Sequence, residues 1–292
     1  MRILFTMPHF YRPLASPPGG PPGYKSIHGS GTAKAEHRLR VIANCLFSLH
    51  QTFGRRQSYI AAPTVPCNGR VAAQLEIVVC TTGGHHLVDR LPRGLFRHHN
   101  TTAEPLFLGY ECHEVLADNL GRYDYYCFLE DDILLTDPLF FWKQAWFATM
   151  LGDQAVLQPH RFETTPELPT EKLYIDGPIR DPTIAPKFQN KRVRPRVRGR
   201  VLGVDVDFER IDNPHSGCFF LTAAQMARWT KQPYFLDRAA DFWGPLESAA
   251  TLGVMRTFEV YKPALENAGF LEVHHLDNRY LKRRASGIPS IS

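Results

Sequence analysis

The sequence predicts an α/β fold built on a mainly parallel central sheet flanked by helices. Two observations carry that prediction. Short continuous apolar runs, rich in β-branched and aromatic residues, alternate with longer segments whose apolar residues recur at helical spacing. In addition, 43% of the 292 residues are hydrophobic and 22% are charged, which suits a packed core and not a disordered chain.

The elements follow in order. Arg2–Met7 reads as a buried strand. Pro13–Gly31 is crowded with proline, glycine and serine and reads as a loop, because proline fixes φ and removes a donor. Ala33–Phe53 brings Leu39, Ile42, Leu46, Leu49 and Phe53 to one helical face, and Gly54 closes the helix. Leu75–Cys80 is continuous and β-branched, as in a strand covered on both faces. A helix over Glu111–Leu120 stops at Gly121, and the strand Tyr123–Leu129 then runs into three acids. Pro138 suits the first turn of a helix over Pro138–Leu151. Ala155–Gln158 and Cys218–Thr222 read as strands, Ala223–Thr230 and Leu246–Met255 as helices, and Phe258–Tyr261 as extended. Arg161–Arg210 has no clear periodicity and reads as an excursion from the core, within one domain spanning residues 1–292.

Charge is unevenly distributed. There are 34 basic and 29 acidic side chains, a formal net charge of +5. Seven basic residues and no acid lie in Lys187–Arg200; without them the remainder carries −2, so the basicity is one local patch. Its proline and glycine exclude a regular helix. The patch reads as an arm that clamps a diphosphate, a surface for anionic lipid or an acidic acceptor, a nucleic-acid contact, or a solvated loop with no specific task. No aromatic residues interleave with the arginines, which argues against nucleic acid. The six cysteines form no CxxC pair and read as buried free thiols. No secretory leader is visible, and no apolar run reaches the length of a membrane span. A cytoplasmic protein is expected, with at most peripheral contact at the inner face of a membrane.

The richest motif is YDYYCFLEDDILLTDP. Extended geometry sends Glu130 and Asp132 to one side and Asp131 to the other. Three carboxylates at a strand end repel one another, and bound Mg²⁺ or Mn²⁺, completed by diphosphate oxygens, would compensate them. The carboxyl edge of a parallel sheet is also where open α/β folds bind ligands. The competing reading is a solvated acidic turn that caps a helix. Asp205-Val206-Asp207 is a second, literal DxD, late in the chain after a weaker apolar run. The pairs His85-His86 and His98-His99 lack zinc-ligand spacing and read as surface.

FLEDDI resembles the DxD-type motif of GT-A glycosyltransferases, which bind a nucleotide-sugar through a divalent metal. RLRVIANCLFSLHQTFG (Arg38–Gly54) is similar to the Arg-led first helix of family-2-like members, and LEIVVCTT stands at their second strand. Asn213–Phe220 is similar to the glycine-containing acceptor-side loop before a buried strand. Gly244-Pro245-Leu246-Glu247-Ser248 stands at the xED motif, and His274-His275 at a C-terminal metal-binding histidine. The opening strand also looks like that of GT-B enzymes, but their two Rossmann-like domains need a longer chain.

The resemblance implies a GT-A fold, with residues 1–135 the nucleotide-sugar half and 136–292 the acceptor half, carrying the basic excursion at about 161–210. It implies a metal-dependent glycosyltransferase using Mn²⁺ or Mg²⁺ and a UDP- or GDP-sugar, with a carbohydrate or lipid-linked acceptor and no nucleic-acid partner. Asp132 and, in preference to His274, His275 would hold the metal. Glu130, Asp131, His9 and Thr81 would contact the nucleotide-sugar; Ser216, Gly217 and Trp243 would face the acceptor. Ser248 takes the place of the usual xED aspartate, so either Glu247 serves as base, with Asp241 in reserve, or configuration is retained without a base there. A sugar nucleotidyltransferase is the nearest alternative and would need a basic, glycine-rich loop after the first strand; Pro17–Gly23 offers glycines but only Lys25 nearby. A non-catalytic nucleotide- or polyanion-binding protein using the basic arm is the alternative outside enzymes.

Overall fold

The computed structural model of the chain describes residues 1–13, 35–165, 171–177 and 185–285. The glycines of Pro17–Gly23 and Lys25, and all of the Pro13–Gly31 segment but Pro13, lie outside the described residues.

Strand β1 (Arg2–Pro8) precedes helix α1 (Ala35–Phe53), which ends at Phe53 just before Gly54. A small hairpin of β2 (Ser58–Tyr59) and β3 (Val65–Pro66) leads to β4 (Gln74–Thr82) and β5 (Arg97–Thr101). Helix α2 (Leu108–Asp118) is followed by β6 (Tyr125–Leu129), the short β7 (Ile133–Leu134) and α3 (Phe140–Leu151). Next come β8 (Ala155–Leu157), β9 (His160–Thr165), β10 (Glu171–Tyr174), β11 (Arg196–Val201) and β12 (Val204–Glu209). β13 (Cys218–Thr222), α4 (Ala223–Trp229), α5 (Pro245–Thr257), β14 (Glu259–Pro263), β15 (Glu272–His275) and α6 (Arg279–Ala285) complete the order.

The fold is mixed α/β. Its five-stranded sheet has the order β13-β6-β1-β4-β5. β1 pairs in parallel with both β4 and β6, and β5 joins β4 in parallel; only β13 is antiparallel. Alternation along these strands divides the core in two. Ile3, Phe5 and Met7 face the α1 and α3 side with Cys127 and Leu129, while Leu4, Tyr126 and Phe128 face the α2, α4 and α5 side. Gly109 lets α2 approach α5, since a Cβ there would sit 2.6 Å from Ala249 Cβ.

The parallel expectation thus holds for four strands of the central sheet, whereas two smaller sheets, β10-β9-β15-β7 and β11-β12-β14-β8, mix both directions. The sequence without periodicity supplies β9 to β12. Much of the basic stretch is a β-hairpin, β11 with β12, turning at Leu202-Gly203 where both φ angles are positive. Its arginines alternate with Val197, Gly199 and Val201, a period of two broken by no long apolar run, which is why periodicity alone did not reveal it. All six cysteines are free, five of them buried. No helix among the described residues is long and apolar enough to cross a membrane.

Candidate functional site

Because β1, β4, β5 and β6 run in parallel, their carboxyl ends share one edge, and antiparallel β13 brings its amino end there, with Cys218 opposite Leu129. The acidic triplet leaves β6 at this edge. Glu130 N–H donates to Gly217 O at 2.9 Å. Gly217 has φ of 62°, and a Cβ there would lie 2.5 Å from Glu130 Oε2, so both backbone and space demand glycine.

Asp131 and Asp132 lie in a turn after β6 and not in extended strand, and Arg38 reaches both of them. Asp131 turns inward, where Arg38 Nη2 donates to Oδ1 at 2.5 Å and Oδ2 at 2.7 Å, and His9 Nδ1 lies 2.5 Å from Oδ2. Leu87 N–H donates to His9 Nε2 at 3.2 Å, which leaves the ring proton on Nδ1 for the carboxylate. Burial acts to raise the Asp131 carboxyl, but Arg38 and His9 outweigh it and hold it down at about 2. Asp131 is 7% exposed and His9 0%, so both sit beneath the edge as a buried ion-pair and hydrogen-bond cluster. Thr81, also fully buried, donates to Asn100 Oδ1 at 3.1 Å and lies 2.7 Å from His98 Nε2. Of the four residues expected at the nucleotide-sugar, Glu130 alone is more than marginally exposed.

Burial first, and then the charges of Asp132 and Glu247, push the Glu130 carboxyl up to about 7, against the opposing pull of Arg161 and His275. Asp132 Oδ1 is buried and has no hydrogen-bond partner, while Oδ2 lies 3.6 Å from His275 Nε2 and 4.0 Å from Arg38 Nη1. His275 is 1% exposed, and its Nδ1 is 2.9 Å from Glu163 Oε1. The sheet explains this meeting: β15 pairs antiparallel with β7, setting His275 opposite Ile133, and parallel with β9, which carries Glu163. His274 instead stacks on Phe162 at 4.9 Å, away from Asp132.

Glu247 lies in the first turn of α5, close enough to act on Glu130. Ser248 is buried at the start of that helix; its hydroxyl bonds Phe242 N and O, both at 3.0 Å. This latch shapes the loop that presents Trp243, 41% exposed at φ 62° and stacked on buried Phe242 at 5.3 Å. Ser216 is buried and donates to Pro159 O at 2.8 Å, so of the expected acceptor-side groups the open one is Trp243. Asp241 is exposed, and its charge is felt at Tyr110 on α2.

The second acid pair has a different fate. Asp207 receives Arg198 Nε on Oδ1 at 2.7 Å, and Arg198 Nη2 and Arg196 Nη2 on Oδ2 at 2.8 and 2.7 Å. Asp205 is 3.9 Å from Arg198. In the basic stretch Lys191 pairs with Asp212, Arg194 with Glu259, Arg196 with Asp207, Glu209 and Glu266, and Arg198 with Asp207. Most of its charge is therefore matched on the protein.

Three groups escaped the sequence reading. Arg38 shares a helical face with buried Ile42, Cys45 and Leu49, and a charge on an apolar stripe was a legible signal of a buried partner. Glu163, 0% exposed in the segment RFETT, carried none. Beneath Ser216, Asp176 is fully buried between Arg161 Nε at 2.8 Å and Lys262 Nζ at 2.7 Å, and Lys262 Nζ also donates to His215 O at 2.6 Å.

Among the described residues no group of three or more His, Cys, Asp or Glu side chains is gathered to hold a metal. Asp132 and His275 are a pair, with Nε2 3.6 Å from Oδ2. A hard divalent cation is commonly held by one or two protein groups together with substrate phosphate oxygens, and a carboxylate whose Oδ1 is unpartnered and whose Oδ2 lies beside an imidazole nitrogen is compatible with that. No protein-family model matches the chain, and no curated protein matches it in sequence.

Proposed function

We propose that this chain is a metal-dependent glycosyltransferase of GT-A type. It transfers a sugar from a UDP- or GDP-sugar to a hydroxyl of a carbohydrate or lipid-linked acceptor. One observation carries the reading: Glu130, Asp132, Glu247 and His275 converge at the carboxyl edge of the parallel strands, with an Asp132 oxygen buried and unpartnered.

Asp132 and His275 would hold Mn²⁺ or Mg²⁺. When bound, the cation supplies Lewis-acid neutralisation of the charge that builds on the leaving diphosphate. Arg38 and His9 hold Asp131, and through it the triplet's backbone, so that Asp132 is presented without having to reorganise. Glu247 takes the proton of the acceptor hydroxyl as its oxygen bonds to the anomeric carbon and the bond to the diphosphate breaks. Ser248, at the xED aspartate's place, latches the loop and leaves proton transfer to its neighbour. Trp243 offers its face to a sugar ring.

The test is release of nucleoside diphosphate from a panel of UDP- and GDP-sugars, with Mn²⁺ or with EDTA. Hydrolysis of one donor, dependent on metal and lost in Asp132→Ala, is the expected result. Release that is metal-independent and survives Asp132→Ala overturns the metal assignment. Failure of every donor to react or to shift the melting temperature overturns the transferase reading.

A further inference from the structure

We infer that Glu163 is a positioning residue for the cation site: it orients His275 through Nδ1 and ties that orientation to the docking of α6. The inference rests on the proposed role of Asp132 and His275 and assigns a task to a side chain outside that set.

Glu163 is 0% exposed, and each of its oxygens serves a different element. Oε1 lies 2.9 Å from His275 Nδ1, while Oε2 accepts the Leu281 N–H at 2.8 Å, in the first turn of α6. An ionised carboxylate only accepts, so the bond to Nδ1 needs the imidazole proton there. In the neutral imidazole, the form that ligates a cation, the Nε2 lone pair then points toward Asp132 Oδ2, 3.6 Å away. Two acceptors facing each other across that gap make no hydrogen bond, and the second oxygen of Asp132 is an orphan. Asp132 and His275 would hold a cation here, which would take up the unpaired acceptors. Carboxylates that bond the far nitrogen of a metal-binding histidine in this way typically contribute about 10- to 100-fold in metal affinity. The Leu276 N–H also donates to Asp132 O at 2.9 Å, so the chain entering α6 is tied to both ligands.

Glu163→Gln separates this role from simple filling of space. Glutamine keeps the size, still accepts from Leu281 through its oxygen, and turns an amide donor toward Nδ1, which drives the imidazole proton to Nε2. Binding of Mn²⁺ alone to the full chain, by electron paramagnetic resonance and calorimetry, should weaken by about 10- to 100-fold in Glu163→Gln with the melting temperature retained. His275→Gln should weaken it similarly, and the double variant no further than His275→Gln alone. Mn²⁺ affinity unchanged in Glu163→Gln but lost in Asp132→Asn overturns the inference and leaves the cation site standing. An undiminished Glu163→Gln effect in the His275→Gln background also overturns it. Wild-type protein that binds Mn²⁺ no better than Asp132→Asn overturns the cation site and the inference together. If Glu163→Gln does not fold, long-range ¹H–¹⁵N spectra of the wild-type chain decide: the His275 proton on Nδ1 is expected, and a proton on Nε2 overturns the inference.

Discussion

Asp132 and Asp207 have similar sequence settings: each follows or lies within an apolar strand, with another acid two residues away. Their surroundings are opposite. Both oxygens of Asp207 are taken by Arg196 and Arg198, whereas Asp132 keeps one buried oxygen unpartnered and shares its other side with a histidine nitrogen. Asp176 is a third case, buried deeper than either and satisfied by Arg161 and Lys262. Asp132 is reached by Arg38 as well, 4.0 Å from Oδ2, but no guanidinium or ammonium group bonds its Oδ1. On the proposed function, the saturated carboxylates contribute to stability and the unsaturated one takes a ligand.

The strongest challenge to that contrast is a paired substitution. Asp132→Asn should lower metal-dependent donor hydrolysis by at least about 100-fold, the scale of a removed transition-state electrostatic contact. Its melting temperature should hold. Asp207→Asn should leave hydrolysis within about twofold and lower the melting temperature slightly. Equal loss of activity in both variants would break the comparison.

Asp176→Ala should do the reverse of Asp132→Asn. It strands two buried cations, a change that typically costs about 3–5 kcal/mol, read as a lower denaturation midpoint in urea at unchanged slope. A midpoint equal to wild type would show that the buried cluster is not what stabilises the floor beneath Ser216.

Acid titration sharpens the contrast further. Burial raises the Asp176 carboxyl, but Arg161 and Lys262 outweigh it and hold it well below the carboxylate range, so its stabilisation is full above the ordinary carboxylate range, about pH 4, and is lost progressively as pH falls below it, where the unfolded chain takes up the proton first. His113, fully buried among Tyr110, Phe128 and Trp229 with a bond to Ala249 O, is pushed down to about 4 by desolvation. Its folded value lies below its unfolded one, so the unfolded chain takes up the proton first. Stability is full above about pH 6.5 and falls as pH drops toward 4, by up to about 3 kcal/mol from this one group. Stability curves of His113→Leu should be flatter than wild type across that window. Parallel curves would remove His113 as a cause.

The smallest effect is at the open aromatic. Trp243→Ala should raise the acceptor KM by roughly fivefold, about 1 kcal/mol, with little change in donor hydrolysis. An unchanged acceptor KM would return Trp243 to the role of a loop residue packed on Phe242.

Much of the sheet was legible because its strands are buried on both faces and therefore written as uninterrupted apolar runs: Arg2–Pro8, Gln74–Thr82, Tyr125–Leu129 and Cys218–Thr222 all stand within a residue or two of their expected bounds. Strands that lack such runs escaped, notably Arg97–Thr101 at the sheet edge and the arginine-rich Arg196–Val201. Within the site, period-two alternation assumed an extended triplet, whereas the chain turns at Asp131 and Asp132. It did not foretell that Asp131 would be consumed by Arg38 and His9, 93 and 122 residues earlier in the chain.

The sequence by itself determined the alternating α/β elements and the location of the acidic triplet at a strand end, because both follow from local periodicity and hydrophobic burial. Only the tertiary structure decided which carboxylate keeps an open oxygen. The partners that settle this, Arg38 from α1, Glu163 from β9 and His275 from β15, are brought together by strand register and helix packing across more than a hundred residues, and a charge is saturated or left available by who arrives within hydrogen-bond distance.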